Sequence, residues 1–407
     1  MTSVRELLAT PRDDLLRRAL ELGGELRPHL NTDELAAAVL TAHLGRGDPI
    51  EADGVLTVLP EGFGFLRAIE LGYEPSAVDT YVSPSQIRSL NLQQGHRVQG
   101  PVRAPRSGER FFALLHVDAV EGQPPEHLDR IAPFDARTPM VATRPLSLGD
   151  DDDELWALQT LAPWCFGHRV LLRAPESFAR GHLLARLARS VQRRHPEVRT
   201  TICLLDQRPE DGAAVRARLD GSGIEVVDTP FAAAPDRHVA TATLVAERAR
   251  RQAEHGHDVL LLLDSLTALT RAEARTSAPS GAWVQPGLDA RALLTPKRWF
   301  ACARQLAGAG SVTIVATVLP GEPGSIDATV ASEFAPHSNS DVVIAPELAT
   351  AEVALPFDPA RTRTRTEDDP TPADERRRRR ALQEQLLALP PDERLDHLLR
   401  ARRDQPR

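Results

Sequence analysis

Between Val4 and Leu44 the apolar positions recur at helical spacing. Val4, Leu7 and Leu8 fall on one helical face, and Leu15, Leu16, Ala19 and Leu20 on another. Leu35, Ala36, Val39 and Leu40 form a third, with Thr32 and Asp33 placed to cap it. This predicts a small helical module over residues 1–48. At Gly54 the period shortens. The segments 54-GVLTVLP, 62-GFGFLRAI, 79-DTYVSPSQI, 97-RVQGPVRAP and 110-RFFALLHVDAV are β-branched or aromatic and are separated by Gly, Pro and Asp. Five such strands predict a small antiparallel barrel of the oligonucleotide-binding type over 52–122. Residues 123–157, rich in Pro, Asp and Arg, read as a linker with partial order.

From 158 to 365 the pattern alternates. The apolar strands 170-VLLRA, 201-TICLLD, 224-IEVVDT, 259-VLLLLD and 312-VTIVATVL are separated by helical stretches, among them 182-HLLARLARSVQRR, 239-VATATLVAERARRQAEH and 298-RWFACARQLAGAG. Strands that are apolar along their whole length, alternating with helices, predict a parallel sheet covered on both faces. The fold class is therefore multidomain, α+β and α/β: a helical module, an oligonucleotide-binding, cold-shock-like β-barrel and a parallel α/β domain. A charged tail over 366–407 has two short helices broken by Pro390 and Pro391, preceded by a stretch, 361-RTRTRTEDDPTPADERRRRR, that reads as mobile.

Composition narrows the choice of partners. The 407 residues are 42% hydrophobic and 26% charged, with a net charge of −8, so any nucleic-acid site is a local patch. Cys165, Cys203 and Cys302 are odd in number, far apart and set in apolar runs, which predicts buried thiols and neither a disulfide nor a zinc site. The charged N-terminus is unlike a signal peptide, and no apolar run reaches the ~18 residues of a membrane helix. A soluble, cytoplasmic protein with no membrane partner is expected.

The densest chemistry in the barrel is 62-GFGFLR. On a strand, Phe63, Phe65 and Arg67 share a face. Two exposed aromatics followed by an Arg make a stacking platform for single-stranded nucleic acid, which Tyr81 and 108-GERFF would complete. Glycines on both sides of Phe63 suggest cleared space at the surface, whereas two Phe at period two, taken alone, fit barrel core equally well.

These segments resemble the RNA-binding domain of the bacterial transcription termination factor Rho, nearly segment for segment. The resemblance continues through 206-DQRPED, 258-DVLLLLDSLTALTRA and 289-DARALLTPKRWFACARQ. It implies a primary RNA site that prefers cytosine at Leu59, Phe63, Phe65, Arg67, Tyr81, Glu109, Arg110 and Phe111, the last standing where the family usually has Tyr. It also implies a RecA-like domain of the phosphate-loop class, in which a Gly-rich loop, a Lys and a magnesium-binding Thr serve ATP.

This chain departs from that pattern. In 171-LLRAPESFARGHLL, Arg180 falls at the loop Lys, Gly181 at the Thr, Ala179 at the preceding Gly and Ser177 at another Lys, with His182 next. Glu176 adds a carboxylate and Phe178 adds bulk. Gln207 stands where the family has its catalytic Glu. Asp264 survives at a strand end, and Arg208, Arg237, His238 and Phe334 (the adenine-stacking position) remain as remnants. Ala282 replaces a Lys of the central RNA-gripping loop, and Pro346 falls at the arginine-finger position. No catalytic residue and no metal site is expected, and ATP and magnesium enter only if nucleotide binding survives. The resemblance implies single-stranded RNA as partner, a homo-hexamer or a mixed oligomer with an authentic Rho, and RNA polymerase as a further candidate. Three readings stay open: a Rho-like RNA-binding protein that has lost hydrolysis, an active ATP-dependent RNA helicase terminating transcription as a hexamer, and a purely structural hexamer subunit.

Overall fold

The computed structural model of the chain describes residues 2–23, 29–149, 151–176, 178–345 and 357–403. They form two compact units, Met1–Pro133 with Leu244–His255, and Phe134–Thr243 with Gly256–Arg407.

The first unit opens with three helices, Val4–Leu8, Arg12–Glu21 and Thr32–Gly45. The apolar faces read from spacing are buried at Val4, Leu7, Leu15, Ala19, Leu35, Ala36, Val39 and Leu40, whereas Leu20 is exposed. The cap of the third helix is Asn31, not Thr32 or Asp33. Its side chain accepts the Glu34 N–H at 2.9 Å while Glu34 accepts the Asn31 N–H, a reciprocal box that needs a side-chain acceptor three residues on. Asp33 is left free to accept the Ala77 N–H at 2.9 Å.

Five strands follow: Ile50–Val58, Gly64–Arg67, Thr80–Val82, Arg97–Arg103 and Phe112–Leu114. The first pairs with the second and the fourth, the third joins the second to the fifth, and the fifth returns to the fourth, closing a barrel. The expected strand 79–87 stops at Val82. Ser83 caps a helix, Pro84–Ser89, whose Pro pre-sets the first turn and whose Gln86 completes the box. Gly64 serves packing and not surface clearance, because a Cβ there would lie 2.6 Å from the Thr57 carbonyl of the paired strand.

The second unit is built on a sheet ordered Glu225–Pro230, Arg199–Gln207, Asp258–Asp264, Ser311–Val318, Arg169–Arg173, Ser340–Val343 and Arg363–Thr364, parallel except for the last. All five expected strands are present, with Ser340–Val343 added. The helix expected over 298–310 ends at Ala301. Arg304–Leu306 turns back as a strand antiparallel to Ser311–Val318, its turn allowed by Gly308 at φ +66°. Within 123–157, Pro139–Met140 adds to this sheet and Asp152 caps the helix Asp153–Leu161. The stretch read as mobile is folded. Arg363–Thr364 is a sheet strand, and Asp369 is buried against Arg379 ahead of the helix Ala373–Leu387. The three cysteines are free and buried, and burial raises the Cys165 thiol to about 12. No described helix is long and apolar enough to cross a membrane.

Candidate nucleic-acid interface and nucleotide cleft

Leu66 points from the strand Gly64–Arg67 into the barrel core, so Phe65 and Arg67 take the other face. Phe65 is only 8% exposed, yet it lies outside the core cluster. Other rings bury it. Phe63 and Phe111 meet it edge-on with centroids at 5.8 and 4.7 Å, and Tyr81, its cross-strand partner, at 6.2 Å. Phe63 and Tyr81 are 5.6 Å apart. Leu59 holds the approach to this cluster, donating its N–H to the Phe63 carbonyl at 2.8 Å.

Two guanidiniums flank the rings. Arg67 lies 5.4 Å from the Phe65 centroid and Arg110 lies 5.9 Å from that of Phe111, both within cation–π range. Arg67 also pairs with Asp79, whose other contacts are the N–H and hydroxyl of Ser76 at 3.1 and 3.0 Å. Burial raises the pKa of Asp79 against the pull of Arg67. Glu109 ties the neighbouring loop together: Arg103 donates to it at 2.9 Å and so does the Arg106 N–H. The hydrogen bond from Arg103, with that from Arg106, holds its carboxyl at about 2. A cleft of about 800 Å³ opens beside Phe65, Arg67, Arg110 and Phe111, with Asp33 and Ala37 of the third helix opposite. All eight positions named for RNA thus lie on or beside one surface. Asp79 and Ser76, which spacing in the sequence does not single out, border the same surface.

In the second unit the loop 174–179 leaves the strand Arg169–Arg173 at its C-terminal end and starts the helix Arg180–Arg194. A phosphate nest needs its N–H groups aimed at the ligand. Two of the described ones bond within the loop instead: the Phe178 N–H donates to the Pro175 carbonyl at 3.2 Å, and the Arg180 N–H to the Phe178 carbonyl at 2.8 Å. Arg180 itself reaches across the cleft. Its Nε donates to Asp264 Oδ1 at 2.7 Å and its Nη1 to the Pro175 carbonyl at 3.3 Å. Asp264 is 1% exposed, and the Thr317 hydroxyl donates to the same oxygen at 2.8 Å. Gly181 packs close to Val215, where an added Cβ would sit at 3.1 Å.

The other named positions are scattered. The Gln207 amide donates back to the Leu205 carbonyl at 3.0 Å. Arg208 is held bidentate by Asp211 at 2.8 Å. His238 shares a hydrogen bond of 2.5 Å with Thr229, and burial lowers its pKa. His182 is exposed on the loop helix. Phe334 is fully buried edge-on to Phe300, with no face open to a base. Ala282 stands beside Trp283 on a short hairpin, where Trp283 is 58% exposed. Ser177 and Pro346 lie outside the described residues.

Residues 52–126 match the family described as Rho termination factor, RNA-binding domain. Over 376 residues the chain is 38% identical to transcription termination factor Rho of Haemophilus influenzae, covering 91% of this chain and 89% of that protein. With Rho of Escherichia coli K12 the identity is 35% over 371 residues, covering 90% and 88%. Among solved structures, an ATPase from the type III secretion system of pathogenic bacteria superposes with TM-score 0.52 at 20% identity, over 61% of this chain and 70% of that one. The ATP synthase subunit NeqB of Nanoarcheaum equitans gives 0.52 at 17%, over 62% and 63%. At such identities the likeness shows a shared fold alone.

Proposed function

The chain belongs to the Rho family of transcription termination factors, and from that premise we propose that it binds single-stranded, pyrimidine-rich RNA through its barrel but has lost ATP hydrolysis. It would then act in the cytoplasm as a modulator or partner of Rho-dependent termination, assembled with copies of itself or with an authentic Rho. The platform supports the first half. Phe63, Tyr81 and Phe111 offer stacking faces around the covered Phe65, with the Arg67 and Arg110 guanidiniums beside them.

The second half is carried by one observation, the Arg180–Asp264 ion pair. Phosphoryl transfer in this fold class needs an ammonium on the phosphates, a hydroxyl on magnesium and a free strand-end carboxylate. Here the cation that should face phosphate is spent on that carboxylate. Gly181 has no hydroxyl, and the Phe178 and Arg180 amides bond to loop carbonyls. Magnesium triphosphate does not fit this donor set. To admit it, Arg180 would have to leave a buried partner, a loss of about 3–5 kcal/mol. Removing single charge-stabilising groups typically costs ~10²–10³-fold in rate, and several are altered together.

The competing reading, an active RNA translocase, is favoured by the survival of Asp264 and by the identity to Rho along nine-tenths of the chain. Binding of a cytosine-rich oligonucleotide, measured alongside phosphate release, separates them. The proposal expects binding that Phe63→Ala with Phe65→Ala abolishes, and no release. Unchanged binding in that double variant would remove the RNA-binding reading.

A further inference from the structure

Of the 49 Lys and Arg residues in the chain, only Lys297 is a Lys. Every other such position carries a guanidinium, which stays protonated and makes a poor nucleophile. Among the side chains a primary amine is therefore confined to one place. Lys297 stands on the helix Leu294–Ala301, and its ammonium donates to Glu333 of the helix Ile326–Phe334 at 2.6 Å. The pair is accessible, with the Lys297 side chain 39% exposed and that of Glu333 31%. An amine with a carboxylate at hydrogen-bond distance has the geometry of a nucleophile and its base.

Lys297 lines a cavity of about 730 Å³ together with Arg169, Arg304 and Arg365. The three guanidiniums are held by carbonyls. Arg169 donates to those of His337 and Ala303 at 2.6 and 2.8 Å, and Arg304 to that of Ala301 at 3.0 Å. Arg365 donates to those of Ala335 and Pro336 at 2.9 and 2.6 Å. Carbonyls fix a guanidinium without neutralising it, and among the described residues none of the three is in an ion pair. Arg304 also lies 4.7 Å from the Phe134 centroid. The charges act on one another: burial lowers the pKa of Arg169, Asp368 opposes the shift, and Arg304 and Arg365 add to it. Glu367 and Asp368 also line the cavity, so its cations outnumber its carboxylates. Arg169 starts the strand whose far end leads into the loop 174–179, which puts this cavity at the opposite edge of the sheet from the nucleotide cleft.

We propose that Lys297 is a site of acylation by acyl phosphates, the phosphate seated on these guanidiniums and the acyl carbon presented to Nζ. Guanidinium forks match phosphate oxygens and stabilise the charge that develops on the departing phosphate. A bond forms from Nζ to the acyl carbon, and the bond from that carbon to the phosphate oxygen breaks, the phosphate leaving with the electron pair. The ammonium sheds two protons. Glu333 takes the first, which frees the lone pair, and the phosphate takes the second. The products are an amide and inorganic phosphate. The amide carries no charge, so the two helices lose the ion pair that links them. The reaction does not depend on whether ATP hydrolysis is lost.

Incubation of the full-length chain with acetyl phosphate, followed by peptide mass mapping, tests it, with Nα-acetyl-lysine amide in the same tube as the reference amine. Acetylation of Lys297 is expected to be about tenfold or more faster than that of the reference. Added inorganic phosphate and Arg304→Ala are each expected to slow it several-fold, while acetylation by the neutral donor N-hydroxysuccinimidyl acetate stays unchanged. Glu333→Gln is expected to slow the reaction with acetyl phosphate about tenfold. Thermal midpoints check that the variants are folded, and competition by inorganic phosphate needs no variant. Three outcomes overturn the proposal: a rate no higher than that of the reference amine, a fast rate that inorganic phosphate does not slow, or a Glu333→Gln variant that reacts as fast or faster. The first would make Lys297 an ordinary surface amine. The second would remove the phosphate seat, and the third would make Glu333 a partner that holds the ammonium inert.

Discussion

Arg180 forms an ion pair with Asp264 at the C-terminal end of the strand Asp258–Asp264. Its partner Asp264 is almost fully buried, so removing the guanidinium strands a charge that, among the described residues, the Thr317 hydroxyl is left to support. Arg180→Ala is expected to lower unfolding stability by about 3 kcal/mol in urea titrations. A loop cation kept for phosphate would give almost no loss. On the barrel, Phe63→Ala and Phe65→Ala are each expected to cost about 1–3 kcal/mol of RNA binding by fluorescence anisotropy. Only Phe65→Ala should also destabilise the first unit, because other rings already cover Phe65 in the free protein. The grouping of Phe63, Phe65 and Arg67 was readable in the sequence from period two only together with the following Arg and the downstream 108-GERFF. The contacts of its neighbours were not, since Arg67 reaches Asp79 and Arg180 reaches Asp264 across strands that spacing does not connect.

At the scale of elements, two buried histidines tie turns together in the neutral form. The Gln93 N–H donates to His96 Nδ1 at 3.0 Å, and the Cys165 N–H donates to His168 Nδ1 at 3.1 Å. Burial, helped by Arg251, pushes His96 down to about 3, and burial with Arg169 pushes His168 down to about 4. Below about pH 6.5 the unfolded chain takes up protons that the folded chain refuses. Stability is therefore complete above pH 6.5 and falls as pH drops towards 4 for His168 and 3 for His96, by up to about 1.4 kcal/mol per unit for each. Urea midpoints between pH 7 and 4.5 should show this slope, and His96→Gln should reduce it. The long parallel strands were legible because both faces are buried and the apolar runs are continuous. The helix Pro84–Ser89 was hidden inside a strand-like run, and the strand Arg304–Leu306 inside an Ala-rich run with helical spacing. In both places a Ser-Pro start or a glycine turn outweighed the apolar pattern.

For the whole molecule, a net charge of −8 leaves RNA affinity to a local patch in which Arg67 and Arg103 already have carboxylate partners. Stacking should then dominate, and with about one or two phosphate contacts the slope of log affinity against log salt should be near −1. A slope of about −4 or steeper would mean that a larger basic surface takes part. On the proposed function, a retained RNA grip and a lost hydrolytic step coexist within one chain. Phosphate release from the pure protein, with ATP, magnesium and a cytosine-rich transcript at saturating concentration, tests it most directly. Tight RNA binding with release at the protein-free background is the predicted result. Release that rises on adding the transcript and disappears in Asp264→Asn would contradict it.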